Sequence, residues 1–375
     1  MILIILFITV CFLAYSNGAN DNFKGVATLF GSRTLNFKRA INWATITTLL
    51  GSAAALFFAE TLIKNFSGKG LVPDELVQSP IFAISVAAGA AITVFIATKI
   101  GMPVSTTHGI VGALLGCGVV AIGSNFNFAK LADTFLLPLV VSPLIAAILS
   151  LIMYRVFRKS RIALGVKKEM CVCINNEMKP ISEINFNGTL TLDKANVQSL
   201  TIAPDQECVE VYQNKIFGFN AQNLLDFFHY ISAGAVSFAR GLNDSPKILG
   251  LVLVINALDL RLGLFFIAGF MAVGGLLNSK KVGETMSLKI TSMNHGQGFT
   301  ANLITALLVT TASYHGLPVS TTHVSVGSIF GIGTVTGNSN YKVVKNILLS
   351  WVMTLPTAAV CGAVIYWLLS LSNLF

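Results

Sequence analysis

Ten stretches of this chain are apolar for about as long as a bilayer is thick, and that pattern constrains the fold more than any other. They lie near residues 2–30, 41–63, 81–100, 103–122 and 133–155, then near 225–255, 262–278, 298–315, 318–335 and 346–370. A helix needs about 20 such residues to cross the hydrocarbon core. Only 11% of the residues are charged, against about 25% in soluble domains, too few to face most of the surface with water. The pattern predicts an all-α polytopic protein in a lipid bilayer. Met1 to Tyr15 lacks a basic start and a small-residue cleavage pattern, so it reads as a retained first span rather than a signal peptide. The net charge of +9 does not point to nucleic acid, because no Lys/Arg run is interleaved with aromatics.

One region departs from this pattern. Residues 158–222 are hydrophilic and separate a first membrane region, 1–157, from a second, 223–375. Ile184–Phe186, Thr189–Leu192 and Gln206–Tyr212 alternate like short strands, and Asn187-Gly188 is a turn signal. A small β-rich insert is expected. Its cysteines, Cys171, Cys173 and Cys208, match no standard zinc spacing and read as free or structural thiols. Cys11, Cys117 and Cys361 lie in apolar segments as small core residues. With the N-terminus outside, the cytoplasmic segments hold 18 of the 25 lysines and arginines and the outer segments hold 4. Lys24, Arg240 and Lys247 fall inside spans. This bias predicts N- and C-termini outside and the insert in the cytoplasm.

The chain also repeats itself. Gly18-Ala-Asn-Asp-Asn-Phe-Lys24 returns as Gly241-Leu-Asn-Asp-Ser-Pro-Lys247, at an offset of 223. Pro103-Val-Ser-Thr-Thr-His108 returns unchanged as Pro318 to His323, at an offset of 215, and Glu60-Thr61 returns as Glu284-Thr285. Three landmarks in one order imply a duplication. Five spans per half is an odd number, so the second copy enters from the opposite side. Inverted repeats with broken helices are a recurrent build of secondary transporters, with the site at the repeat interface.

The repeated motifs carry the chemistry. A carboxylate inside a span is expensive and is usually functional. Asn17, Asn20 and Asp21, with Asn243 and Asp244, are therefore read as a coupling-ion site, and Gly18-Ala19 as the place where the first helix breaks. Unwound carbonyls and carboxylates suit a cation, so Asp21 and Asp244 are candidate sodium ligands. Ser105, Thr106 and Thr107, with Ser320, Thr321 and Thr322, follow a proline and fit a helix start whose free N–H groups and hydroxyls face an anion; ordinary N-capping is the bland alternative. His108 and His323 are read as either anion donors, proton relays or structural anchors. Lys24 and Lys247 stand three residues after the aspartates, and each either fills the space of a coupling cation, contacts the substrate anion, or snorkels to an interface. Asn42 and Gln297 are read as further polar lining.

Through these motifs the chain resembles the inorganic phosphate transporter family, the phosphate permeases and sodium-dependent phosphate symporters. That family carries a G-A-N-D-type signature and a P-x-S-T-T-H-type motif in each half, and both pairs stand here in order. The resemblance implies a secondary active transporter of inorganic phosphate across the plasma membrane, coupled to sodium or protons, and a homodimer. No cofactor is expected beyond bound sodium ions, and no enzymatic activity, since no nucleophile–base constellation faces water. Another tetrahedral oxyanion such as sulfate, or an anion channel, is the alternative. The family's later asparagine is replaced by Lys24 and Lys247, which puts sodium coupling in question.

Overall fold

The computed structural model describes residues 1–58, 60–169, 174–184, 190–200, 211–213, 215–216, 218–253 and 259–371. The expected cysteine trio, Cys171, Cys173 and Cys208, and the Asn187-Gly188 turn lie outside the described residues. Each predicted span contains a helix: α1 Ile2–Asp21, α2 Phe37–Phe58, α3 Pro80–Lys99, α4 Thr106–Ile122 and α5 Leu137–Ala163, then α6 Ala221–Leu253, α7 Leu260–Asn278, α8 His295–Tyr314, α9 Thr321–Thr336 and α10 Tyr341–Leu371. The helix starts keep the sequence offsets. α2 and α7 begin 223 residues apart, and α3 and α8 begin and end 215 apart.

Among the described residues, seven segments are long and apolar enough to cross a membrane by themselves: those of α1, α2, α3, α4, α5, α7 and α10. The other three predicted spans fall short for visible reasons. α9 is only 16 residues long. α6 carries Asp226, His229, Arg240, Asp244 and Lys247, and α8 carries His295, Gln297 and Asn302.

The chain forms two compact units, Met1–Lys159 with Leu225–Phe375, and Ser160–Leu224. The second holds paired strands. β1 (Lys167–Glu169) pairs antiparallel with β4 (Val211–Gln213), and β2 (Ile174–Ile184) with β3 (Leu190–Leu200) in the register Ile184↔Leu190. A short pair, β5 (Lys215–Ile216) and β6 (Phe219–Asn220), precedes α6.

The helical unit turns many large apolar side chains outward while burying charged ones among its apolar core. Phe57, Val140, Leu144, Phe265, Val352 and Val360 are exposed, while Asp21, Lys24, Arg240, Asp244 and Lys247 are buried. Such an exterior suits lipid, in which apolar burial no longer drives helices together and close backbone packing does. The halves interlock by exchanging partners. α1 of the first half lies against α7 of the second, and α6 against α2: a Cβ on Gly18 would stand 1.9 Å from the Met271 carbonyl oxygen, and one on Gly241 2.1 Å from that of Thr48. Likewise α4 packs on α10, and α9 on α5.

The expected break at Gly18-Ala19 does not occur. α1 runs through both residues, because Gly18 serves interhelical contact rather than chain flexibility. The interruption comes later, at Asn22 and Phe23, where a 3₁₀ turn (Lys24–Val26) leads into a short helix, Ala27–Gly31. In the second copy α6 continues through Gly241–Lys247, with Pro246 inside the helix.

Candidate functional site

Four chain segments meet at one buried place: the C-terminal turn of α1 with the 3₁₀ turn after it, the middle of α6, and the starts of α4 and α9. Of the residues nominated from the sequence, Asn17, Asn20, Asp21, Lys24, Ser105–Thr107, Asn243, Asp244, Lys247 and Ser320–Thr322 are all present there, and none is more than 5% exposed.

The two Pro-Val-Ser-Thr-Thr-His motifs have nearly the same geometry. Ser105 (φ −99°, ψ 118°) caps α4, its Oγ accepting from His108 N at 3.2 Å. Ser320 (φ −101°, ψ 119°) caps α9 in the same way, from His323 N at 3.3 Å. An extended residue whose hydroxyl takes an orphan N–H is how a helix starts. Each serine oxygen is thus engaged as an acceptor, and its O–H remains a donor.

Around the first motif, Lys24 Nζ donates to Asp21 Oδ1, to Asn20 Oδ1 at 2.8 Å, to the Val104 carbonyl at 2.8 Å and to Thr322 Oγ1 at 2.6 Å. Asn20 is held from its other side by donating to Thr98 Oγ1 (2.9 Å) and to the Met102 carbonyl (3.1 Å). Asp21 Oδ2 accepts from Thr106 Oγ1 at 3.1 Å. The second motif repeats the scheme. Lys247 Nζ donates to the Val319 carbonyl at 2.5 Å, to Thr107 Oγ1 at 2.9 Å and to Asp244 Oδ1 at 3.4 Å. Asn243 donates to the Val319 carbonyl (3.3 Å) and accepts from Ser313 Oγ (3.1 Å). Each lysine therefore meets the valine carbonyl of one motif and the second threonine of the other.

Asn17 joins the two sets, its Nδ2 reaching Asp21 Oδ2 at 3.1 Å and Asp244 Oδ2 at 3.3 Å. The two Asn-Asp pairs are neighbours inside the helical unit. Snorkelling is ruled out for the lysines, since both are buried. Asn42 is exposed, and Gln297 is spent in the capping box of α8 with Asn294, so neither lines this place. His323 stacks on Trp351 at 3.7 Å between ring centroids, and its Nδ1 lies 3.1 Å from the Leu139 carbonyl. Its ring centroid is 4.6 Å from that of His108.

Arg240 belongs to this site although the sequence alone marks it only as a basic residue within a span. It is 1% exposed. It donates to Asn17 Oδ1 at 2.7 Å, to Asn22 Oδ1 at 2.8 Å and to Thr48 Oγ1 at 3.3 Å, with Nε 3.6 Å from Asp244 Oδ2. The signal was available: an intramembrane arginine directly before Gly241, at the place where the first copy has Asn17. Thr98 and Ser313 also share the 215-residue offset of the threonine motifs.

Paired carboxylates, three cations and hydroxyl donors at two helix starts can hold an anion and answer its charge. The model of the phosphate transporter family matches residues 17–362. This chain belongs to that family. It is a multi-pass membrane protein that transports phosphate. A relative in Arabidopsis thaliana, the chloroplastic inorganic phosphate transporter 2-1, is 26% identical over 95% of this chain and 70% of its own length. A Pyrococcus horikoshii protein with a provisional phosphate-permease name is 29% identical over 96% of this chain and 95% of its own. Among solved structures, that of a sodium-dependent phosphate transporter superposes with a TM-score of 0.77 at 27% identity, covering 99% of both chains.

Proposed function

We propose that this family member takes up inorganic phosphate across the plasma membrane by alternating access of two inverted repeats, 1–157 and 223–375. Both termini lie outside, the β-rich insert 158–222 faces the cytoplasm, and the protein works as a homodimer. The observation that carries this reading is the exchange of partners between halves: Lys24 reaches Thr322, and Lys247 reaches Thr107. Neither half completes the site alone, so a motion of one half against the other would change its access.

The anion would lie between the starts of α4 and α9. Free N–H groups at a helix start favour negative charge. Thr321 and the two serines offer O–H donors without adding charge, and Thr106, Thr107 and Thr322, whose O–H groups go to Asp21 and to the Val319 and Val104 carbonyls, would turn to the anion as it enters. Lys24, Lys247 and Arg240 supply the positive field. The charge of phosphate moved through the bilayer needs compensation, because each uncompensated elementary charge crossing the membrane is worth about 2.3 kcal/mol per 100 mV. Asp21 and Asp244 are where a coupling cation, sodium or proton, would register, and linkage then makes anion and cation raise each other's affinity. Sodium enters this reading because the superposing transporter is sodium-dependent.

The test is uptake of labelled phosphate by proteoliposomes holding the purified full chain. The expected results are saturable uptake that excess unlabelled phosphate competes away and excess sulfate does not, and loss of uptake in Asp21→Asn and in Asp244→Asn while both variants still insert. Wild-type rates in both variants would remove the coupling role. Equal competition by sulfate would replace phosphate with the wider oxyanion class.

A further inference from the structure

We propose that Lys24 and Lys247 are resident cations standing where a sodium-coupled transporter would hold sodium, so that this chain moves phosphate with protons and without sodium. The inference rests on the phosphate-uptake reading above and settles the coupling ion that reading leaves open.

It comes from what surrounds the two ammonium groups. Lys24 Nζ meets four oxygens of four kinds: the Asp21 carboxylate, the Asn20 amide oxygen, the Val104 carbonyl and the Thr322 hydroxyl. Lys247 Nζ meets a carboxylate, a carbonyl and a hydroxyl from Asp244, Val319 and Thr107. All-oxygen shells of carboxylate, carbonyl and hydroxyl are what hard cations take. Here each shell is closed around a tethered ammonium, and both lysines are buried. Sodium placed in either shell would face an ammonium at contact distance, in a buried setting where like charges repel strongly. The residues present therefore do not fit sodium at these two positions.

The charge count agrees. Lys24, Lys247 and Arg240 face Asp21 and Asp244 across the network described above, leaving a formal charge of one positive unit; His108 and His323 lie beside the same helix starts. Phosphate entering as the monoanion brings the loaded site to zero. That species is the dianion plus one proton, so the proton rides on the substrate and atoms and charge balance. One added sodium ion would restore a net charge inside the bilayer.

The test uses the full chain in proteoliposomes at one external pH. Labelled phosphate uptake is compared under an inward sodium gradient and with choline replacing sodium, and then under an inward proton gradient. The expected result is a rate that stays within about twofold when choline replaces sodium and rises with the proton gradient. Uptake that collapses in choline overturns the inference and leaves phosphate transport standing. No uptake under any cation removes the parent reading, and this inference with it. A second measurement uses thermal unfolding in detergent. Sodium should leave the wild-type midpoint in place and raise that of the double variant Lys24→Asn/Lys247→Asn, in which both tethered cations are gone. A sodium-dependent wild-type midpoint overturns the inference by itself, whether or not the variant folds.

Discussion

The Asp21–Lys24 pair should behave as one energetic unit, and a double-mutant cycle measures that. Both side chains are 2% exposed. In Lys24→Met, Asp21 keeps neutral donors at 3.1 Å, Asn17 and Thr106, but loses its countercharge. In Asp21→Asn, the ammonium keeps Asn20, Val104 and Thr322. Breaking a buried pair by removing one partner costs about 3–5 kcal/mol. The surviving hydrogen bonds place each single variant near the lower end, about 3 kcal/mol. The double variant buries no lone charge, so it should cost at most about 3 kcal/mol rather than the sum of about 6, a coupling of at least about 3 kcal/mol. That coupling corresponds to more than ~100-fold in the folding equilibrium. The assay is reversible unfolding of the detergent-solubilised protein, with all four members of the cycle at one pH and salt. The exposed pair Glu60–Lys64, at 2.8 Å with side chains 82% and 69% exposed, is the control. It should show no measurable coupling, since water and salt screen such pairs. Additivity at Asp21–Lys24 within about 0.5 kcal/mol would refute the claim that this pair is sealed from solvent.

Two further changes test the packing that positions the site. Ser105→Ala and Ser320→Ala each remove a helix cap, and each should lower stability by about 0.5–2 kcal/mol in the same unfolding assay; unchanged midpoints would mean that the two helix starts find other acceptors. Gly18→Val should prevent the close approach of α1 and α7, because even a Cβ would overlap the Met271 carbonyl oxygen at 1.9 Å, and the expected readout is loss of monodisperse protein on size-exclusion chromatography, with normal elution counting against the contact.

The helical spans were legible because lipid enforces a simple rule: a stretch either hides its backbone polar groups in a helix or leaves the membrane. The buried cluster was legible because a buried charge needs a partner, and the same Asn-Asp-x-x-Lys pattern occurs twice at one spacing. Two things were hidden, each for a physical reason. The position of the helix interruption is ambiguous in sequence because a glycine signals both chain freedom and close contact, and only the neighbouring helix shows which applies; at Gly18 it is contact with Met271. The role of Arg240 is hidden because its partners, Asn17, Asn22 and Thr48, lie about 190 to 220 residues away in sequence. A search for matching residues passes over it, since its counterpart by position is Asn17. That difference matters most in a twofold site. Asn17 spans both aspartates with one amide, and Arg240 binds Asn17 while facing Asp244. The arginine therefore places its positive charge nearer the second carboxylate, and the two Asp-Lys pairs, alike in sequence, have different electrostatic surroundings.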